Sequence, residues 1–326
     1  MSARASIVVL DDYEQAMRTH ADWQPVDRKA VVTVYHRKLR GESLLDAIKD
    51  ADAIAVVRDR TPFKADLLAK LPKLRYLVFT GARNTQLDAA AFAARGIPVS
   101  HTEKDPGKDS TAEHAWALIL AASRRLEASM ALVREGRWRD GGPLATILGG
   151  ERLGLVGFGE IGQRVGRVGA AFGMEVVTWS PHMTPERAAA GGAKSVPLEE
   201  LLATSKVVSL HLVPSEATAK LLDAARLATM RPDAILVNTS RSTLIDMAAL
   251  PEALAAGRPG LAALDVFDEE PLPADFALRR LPNVVLTPHL GFVARPVYEK
   301  FAQGMVECLD AWLEGRPLVR VLPPPA

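Results

Sequence analysis

Short apolar runs alternate with helix-like segments along the first hundred residues of the chain. The apolar runs predict five strands, at residues 6–10, 31–35, 53–57, 74–79 and 97–100. Helical patterns lie between them at residues 44–49, 65–70 and 87–95. Ser43 is expected to cap the first of these helices. Strands joined by helices indicate a parallel sheet with right-handed crossovers, in which ligands bind beyond the carboxyl ends of the strands.

A long helix is predicted near the middle of the chain. A polar segment at residues 101–108 resembles a crossing between domains. Ser110 and Glu113 then match a capping box, so the helix is expected to run from there to about Glu135. Its centre, residues 115–122, is apolar on nearly every face, which indicates burial either in the core or in a subunit interface.

The same alternation continues after a glycine-rich loop at residues 136–150. Apolar runs predict strands at residues 153–156, 175–179, 207–210, 234–238, 261–264 and 284–286. Helices are predicted at residues 161–172, 247–256 and 294–314, and a glycine stop follows each of them. The second half of the chain therefore also reads as a parallel α/β structure.

A glycine turn joins the first strand of this second half to the helix that follows it. Gly157, Gly159 and Gly162 fit the pattern G-x-G-x-x-G. The first glycine allows the tight turn, the second lets a pyrophosphate approach the backbone, and the third lets helix and strand pack closely. The free N–H groups at the helix start would face the phosphates, so the turn predicts a dinucleotide site.

Composition limits the possible partners. At 326 residues the chain is long enough for two domains, and a net charge of +1 argues against a nucleic-acid surface. Without a leader-like or membrane-length apolar run, we expect a cytoplasmic protein that binds no membrane. The single cysteine, Cys308, fits a reducing compartment, and its apolar helical setting predicts a buried thiol. We expect no metal site.

Three polar residues follow predicted strands of the second half: Arg241, Glu270 and His289. Reduction of a 2-keto acid needs a hydride, a proton for the carbonyl oxygen and a cation for the carboxylate. Arginine supplies a permanently charged fork, and histidine can hold and release a proton near neutral pH. A neighbouring carboxylate favours the imidazolium and orients the ring. The three residues therefore predict a hydride-transfer site.

The sequence resembles the D-isomer-specific 2-hydroxyacid dehydrogenases over nearly its whole length. The resemblance is carried by the segments Gly157–Gly162, Leu210–Pro214, Asn238–Arg241, Leu264–Phe267 with Glu270–Leu272, and Thr287–Gly291, with support from Arg95–Pro98 and Thr111–His114. It implies an α/β fold with two doubly wound parallel-sheet domains. Residues 103–289 would form a central Rossmann dinucleotide-binding domain, and residues 1–102 with 290–326 would form a discontinuous flavodoxin-like substrate domain.

The resemblance also implies roles for individual residues. Arg241 would bind and polarise the substrate, Glu270 would support the histidine, and His289 would be the acid and base. Gly81 and Ala82 would offer backbone N–H groups to the substrate carboxylate. The residues expected to bind the cofactor are Gly157, Gly159, Glu160, Ile161, Gly162, Ser180, Pro214, Thr239, Asp265 and Gly291. A homodimer through the long central helix is implied as well.

The identity of the nicotinamide cofactor stays open. An acidic residue usually ends the second strand of this fold and binds the ribose hydroxyls of NAD. Here Ser180 stands in that place, and serine does not repel a 2′-phosphate. No arginine follows it directly, so the sequence permits both NAD and NADP. The chain also departs from the family in Ser242, which replaces the usual glycine after the catalytic arginine, and in the substrate loop Gly81-Ala82-Arg83-Asn84.

The substrate stays open too. Arg58 and Arg60 resemble a segment that contacts a phosphate in phosphoglycerate dehydrogenases of this family, although a solvated loop with an Arg–Asp pair explains them equally well. The expected function is transfer of a hydride from NAD(P)H to a small 2-keto acid. The alternatives are a glyoxylate/hydroxypyruvate reductase, a phosphoglycerate dehydrogenase and, from another class, a dinucleotide-sensing scaffold.

Overall fold

Two parallel sheets form, each within its own part of the chain. The computed structural model describes residues 4–102, 106–139 and 141–323. Residues 1–106 and 294–326 belong to one unit, here called the terminal unit, and residues 107–293 form the central unit. The predicted α/β class with two parallel-sheet domains is thus confirmed.

The terminal unit contains a five-stranded parallel sheet in the order β2-β1-β3-β4-β5. Its strands are β1 (Ala5–Leu10), β2 (Ala30–Val34), β3 (Ala53–Val56), β4 (Tyr76–Phe79) and β5 (Val99–His101). The connecting helices are α1 (Gln24–Asp27), α2 (Gly41–Ile48), α3 (Ala65–Leu68) and α4 (Ala89–Ala94). Strands β3 and β4 are buried along their whole length, as strands covered on two faces are, and apart from the hydroxyl of Tyr76 their side chains are apolar.

The central unit contains a seven-stranded parallel sheet in the order β12-β11-β10-β9-β6-β7-β8. Its strands are β6 (Arg152–Val156), β7 (Glu175–Trp179), β8 (Lys194–Ser195), β9 (Val207–Leu210), β10 (Ile235–Asn238), β11 (Leu261–Leu264) and β12 (Val284–Leu286). Its helices are α5 (Gly107–Ser123), α6 (Leu126–Arg134), α7 (Glu160–Ala171), α8 (Pro185–Ala190), α9 (Leu198–Thr204), α10 (Ala224–Thr229) and α11 (Leu250–Ala255). The last helix, α12 (Arg295–Leu313), belongs to the terminal unit.

The central sheet is buried on both faces. Successive residues of a strand point to opposite sides, and Leu236 of β10 accordingly lies in one apolar cluster while Ile235 and Val237 lie in another. The second cluster also contains the buried residues of α5. Within residues 115–122 the core side chains are therefore Ala115, Trp116, Leu118, Ile119 and Ala122. A subunit interface formed by this helix stays a prediction.

The pairing register within each sheet brings the carboxyl ends of neighbouring strands into line. In the central unit Val156, Leu210, Asn238, Leu264 and Leu286 are successive neighbours across the sheet. The loops that follow these residues consequently begin in one row. In the terminal unit Leu10, Val56 and Phe79 are aligned in the same way. Each sheet thus presents its loops at one edge, where parallel α/β proteins bind ligands.

The predicted long helix is wrong in two respects. It is interrupted at Arg125, whose left-handed backbone (φ 53°) separates α5 from α6. It also begins at Gly107 rather than Ser110, so Ser110 and Glu113 lie within the helix and form no capping box at its start. Residues 103–105, part of the predicted crossing at 101–108, lie outside the described residues.

Two smaller expectations are also corrected. Ser43 is not the cap of α2, because that helix begins at Gly41; the Ser43 hydroxyl instead donates to the carbonyl of Arg40 and accepts from its N–H. The helix predicted at residues 247–256 begins at Leu250, with Pro251 in its first turn. No helix in the described parts of the chain combines the length and apolar character that crossing a bilayer requires.

Candidate active site

The glycine turn follows β6 directly and leads into α7. Gly157 has φ 96°, and a Cβ there would lie 2.6 Å from the backbone nitrogen of Leu212. A Cβ on Gly162 would lie 2.3 Å from the carbonyl oxygen of Gly157. Real Cβ atoms do not approach that closely, so both positions require glycine. A Cβ on Gly159 would meet no heavy atom within 4 Å.

These residues fit a bound dinucleotide. Gly159 is the N-cap of α7, and the open space beside it lies at the positive end of a 12-residue helix. Thr239, at the end of β10, has a buried hydroxyl without a hydrogen-bond partner among the described residues. An orphaned buried hydroxyl is costly and indicates a partner that is not part of the chain. Of the other expected cofactor residues, Glu160 pairs with Lys108, and Ile161 and Pro214 are half-buried.

Ser180 follows β7 and is partly exposed. Its carbonyl accepts the N–H of Met183 at 3.0 Å, which closes a turn at the strand end. Arg187 donates from Nη1 to the carbonyl of His182 at 2.7 Å and so places a cation beside this turn. The turn at residues 180–184 contains no acidic residue.

His289 and Glu270 form a direct pair. The Nδ1 atom of His289 lies 2.8 Å from Oε2 of Glu270, whose Oε1 accepts the N–H of Phe267 at 3.0 Å. Burial tends to raise the pKa of Glu270, but the hydrogen bond and charge of His289 outweigh it, and the pKa lies below its ordinary value. Because an ionised carboxylate only accepts hydrogen bonds, Nδ1 carries the hydrogen, and Nε2 is left to exchange a proton.

The position of the His289 ring is fixed on further sides. Its backbone is left-handed (φ 58°), a strained conformation for a residue with a Cβ. The ring of Phe292 packs edge-on against the imidazole, with centroids 5.6 Å apart. The ring therefore has little freedom to rotate away from Glu270.

Asp265 anchors the backbone next to His289. Its Oδ1 accepts the N–H of Leu290 at 2.7 Å and the hydroxyl of Thr287 at 2.6 Å, and its Oδ2 accepts the N–H of Gly291 at 2.8 Å. Nε2 of His114 lies 3.1 Å from the same Oδ1. Burial tends to raise the pKa of Asp265, but these hydrogen bonds lower it overall. Asp265 is fully buried, and its carboxylate fixes the chain on both sides of His289 through these hydrogen bonds.

Arg241 follows β10, the strand next to β11. Its Nη1 donates to the carbonyl of Ser240 at 2.8 Å, and its own carbonyl accepts the side-chain amide of Asn238 at 2.9 Å. Ser242 is buried and has no positive φ, so serine fits the position where the family usually has glycine. Arg241, Glu270 and His289 thus extend from three neighbouring strand ends.

The expected substrate residues lie at the carboxyl edge of the terminal sheet. The N–H of Gly81 (φ 88°) donates to the hydroxyl of Thr102 at 2.8 Å, so a bound carboxylate would have to share or replace that bond. Ala82 is exposed beside it. The guanidinium of Arg58 lies so close to Gly81 that a Cβ at this position would clash with its Nη1. Arg60 instead pairs with Glu14.

Sequence reasoning missed several residues of these networks. It assigned no role to His114 or Thr287, and it did not consider Glu14 or Thr102. The contacts of His114 with Asp265 and of Glu14 with Arg60 join residues 151 and 46 positions apart. Local spacing carries no signal for such contacts. The one available signal for Glu14 was its position in the loop after a predicted strand.

Comparison with known proteins identifies the family. A sequence model described as "D-isomer specific 2-hydroxyacid dehydrogenase, NAD binding domain" matches residues 116–291. The chain is 39% identical over 274 residues to D-3-phosphoglycerate dehydrogenase of Mycobacterium bovis, covering 84% of this chain and 51% of the relative. It is 38% identical over 285 residues to glyoxylate reductase of Aeropyrum pernix, covering 84% of each.

A solved structure agrees with these sequence matches. The crystal structure of phosphoglycerate oxidoreductase from Vibrio cholerae superposes with a TM-score of 0.89 at 33% identity and covers 95% of this chain and 99% of that one. The chain therefore belongs to the D-isomer-specific 2-hydroxyacid dehydrogenase family, as its motifs predicted. It spans about half the length of the mycobacterial phosphoglycerate dehydrogenases that it matches.

Proposed function

We propose that this protein is an NAD(P)H-dependent reductase that converts a small 2-keto acid into a D-2-hydroxy acid. The observation that carries the proposal is the 2.8 Å contact between Nδ1 of His289 and Glu270, because it defines a proton donor at Nε2. The glycine turn and the orphaned hydroxyl of Thr239 at the same sheet edge support the cofactor. A family model described as an NAD binding domain supports it as well.

In the proposed reaction each residue has a distinct task. A nicotinamide bound beyond the glycine turn would supply the hydride. Arg241 holds the substrate carboxylate with its planar guanidinium and draws electron density toward that end of the molecule. His289 donates the Nε2 proton to the carbonyl oxygen as the alcohol forms. Glu270 keeps Nδ1 protonated and stabilises the charged imidazolium before that transfer.

A glyoxylate or hydroxypyruvate reductase is the narrower candidate. The chain covers most of the length of two relatives named glyoxylate reductase. It covers about half of the mycobacterial D-3-phosphoglycerate dehydrogenases but 99% of the phosphoglycerate oxidoreductase of Vibrio cholerae. A dinucleotide-sensing scaffold is the alternative from another class, and it predicts cofactor binding without turnover.

We further propose that the protein works as a homodimer in the cytoplasm. Helix α6 has no buried residue, and it exposes Leu126, Met130 and Val133. The following loop exposes Trp138 (71%), Leu144 (95%) and Ile147 (77%). A group of large exposed apolar side chains usually marks an interaction surface. Light scattering should give twice the mass of one chain, and Leu144→Asp with Ile147→Asp should shift the protein toward monomer.

The activity is tested by following NADH and NADPH oxidation with glyoxylate, hydroxypyruvate, pyruvate and bulkier 2-keto acids. Turnover should be lost in His289→Ala while NAD(P)H binding, measured by fluorescence, persists. His20→Ala in the terminal unit serves as the matched control and should retain full activity. Binding of the cofactor without turnover of any keto acid would favour the sensing scaffold instead.

A further inference from the structure

The terminal unit contains an ion pair that bears on the choice of substrate. Nη1 and Nη2 of Arg60 donate to the two carboxylate oxygens of Glu14 at 3.0 and 2.8 Å. Nη1 also donates to the carbonyl of Asp11 at 2.6 Å. The guanidinium carbon lies 4.2 Å from the centroid of the Tyr13 ring. Arg60 is therefore held by a bidentate pair, a backbone carbonyl and an aromatic face.

This pair lies where a ligand of the terminal sheet would bind. Glu14 is in the loop after β1, Arg60 in the loop after β3, and Gly81 in the loop after β4. The last residues of these three strands are register partners across the sheet. The exposed fractions of the Arg60 and Glu14 side chains are only 15% and 24%, so water screens the pair weakly.

Several ionisable groups surround the pair of Arg60 and Glu14. Burial tends to raise the pKa of Glu14, but the hydrogen bonds and charge of Arg60 bring it below its ordinary value, so Glu14 is ionised. Burial raises the pKa of Asp11, although its carboxyl is within reach of the charges of both Arg60 and Lys38. Tyr298 lies beside Arg60 and Glu14, and burial raises the pKa of its hydroxyl, which stays neutral. Arg60 thus faces the ionised carboxylate of Glu14.

We propose that Glu14 neutralises Arg60 and thereby restricts the substrate to an unphosphorylated 2-keto acid. The proposal rests on the function proposed above and narrows its substrate class. Relatives of this chain are named for phosphoglycerate in one group and for glyoxylate in another, and of these two acids only phosphoglycerate carries a phosphate group. A phosphate dianion at this edge would meet a carboxylate beside the cation. A small acid whose only anionic group is its carboxylate does not need Arg60 as a further cation.

Arg58 fits the same substrate class. Its guanidinium lies against Gly81, in the loop expected to hold the substrate carboxylate, and 5.8 Å from the centroid of the Phe301 ring. The two arginines of the segment, which look alike in the sequence, therefore have different surroundings. Arg58 faces the proposed carboxylate loop, and Arg60 faces Glu14.

Binding measurements test the proposal without depending on turnover. D-glycerate and 3-phospho-D-glycerate differ only by the phosphate, and calorimetry on the full chain with NAD present compares their affinities. The wild type should bind the phosphorylated acid no more tightly than D-glycerate. Glu14→Gln removes the charge at constant size. This variant should bind the phosphorylated acid about tenfold or more tighter than the wild type, while its affinity for D-glycerate should change by less than about twofold.

Two further variants isolate the pair. Glu14→Asp keeps the charge and should behave like the wild type. Glu14→Gln combined with Arg60→Gln should bind the phosphorylated acid no more tightly than the wild type. The tighter binding expected for Glu14→Gln alone depends on the guanidinium of Arg60, which that variant leaves without its carboxylate partner. Tighter binding of the phosphorylated acid by the wild type would overturn the proposal, as would an unchanged ratio in Glu14→Gln. If no keto acid is reduced, the proposed function fails, while the binding ratio still decides the role of Glu14.

Discussion

The imidazole of His289 and the carboxylate of Glu270 are joined through Nδ1 and Oε2 at 2.8 Å, and the second oxygen of Glu270 is held by the N–H of Phe267. The carboxylate therefore cannot rotate without losing a backbone bond. Its partner has a left-handed backbone (φ 58°), which indicates that the loop is shaped to present this ring. Contacts within the chain therefore fix the geometry of this pair without a bound ligand.

Glu270→Gln should lower kcat by about 100-fold, because an amide stabilises the imidazolium poorly and can turn its donor toward Nδ1. Cofactor affinity should stay within about twofold of the wild type, since Glu270 is expected to act on His289 alone. Steady-state kinetics and fluorescence titration measure the two quantities. The neighbouring Glu269, which is exposed, provides the control. Equal losses in Glu269→Gln and Glu270→Gln would contradict the assignment.

Arg241→Lys should raise KM for the 2-keto acid by about tenfold, because an ammonium keeps the charge but cannot form the planar two-point contact with a carboxylate. Arg241→Ala should raise KM further and lower kcat as well. Affinity for NAD(P)H, measured separately, serves as the internal control. A change confined to cofactor affinity would show that Arg241 belongs to the cofactor site and not to the substrate site.

Asp265→Asn should destabilise the protein by about 2 kcal/mol at pH 7, because an amide cannot accept all the hydrogen bonds that this buried carboxylate accepts. The folded pKa of Asp265 lies below its ordinary value, so its contribution is complete above the unfolded pKa of about 3.9 and is lost as the pH falls through the folded value. The difference in unfolding free energy between wild type and variant should therefore shrink below about pH 4. Urea titrations from pH 7 to pH 3 measure it, and a difference independent of pH would contradict the assignment.

Gly159→Ala and Gly162→Ala form a matched pair within one turn. A Cβ on Gly162 would lie 2.3 Å from a backbone oxygen, so that variant should lose about 1–3 kcal/mol of stability. A Cβ on Gly159 meets no atom of the chain, and its φ of −76° suits alanine, so thermal stability should be unchanged. The added methyl group would instead enter the proposed phosphate space and weaken NAD(P)H binding. Unchanged cofactor affinity in Gly159→Ala would place the phosphates elsewhere.

The sequence predicted the sheets well because buried parallel strands are short apolar runs that need no distant information. The strands at residues 175–179, 207–210, 261–264 and 284–286 were predicted with the bounds that the structure has. The long helix was mispredicted because composition does not reveal that Arg125 adopts a left-handed backbone. Helical periodicity continues across the break, so the pattern alone cannot locate it.

The candidate site was predictable only in part, for a related reason. Arg241, Glu270 and His289 follow recognisable strands, and strand ends of a parallel sheet meet at one edge. The hydrogen bonds of Asp265 to His114 and Thr287 depend instead on how α5 packs against the sheet. The pairing of Arg60 with Glu14 likewise depends on register between β1 and β3, which no local pattern encodes.

Ser180→Asp should make the protein prefer NADH over NADPH. A carboxylate at the end of β7 would accept the ribose hydroxyls of NADH but would repel the 2′-phosphate of NADPH, and the repulsion should weaken NADPH binding by about tenfold or more. NADH binding should be unchanged or tighter. Ser180→Asn, which has the same shape without the charge, is the control and should leave NADPH affinity within about twofold of the wild type. Fluorescence titration of both cofactors against the three proteins measures the effect. If Asp and Asn weaken NADPH equally, size rather than charge governs this position, and the open choice between NAD and NADP does not depend on the missing carboxylate.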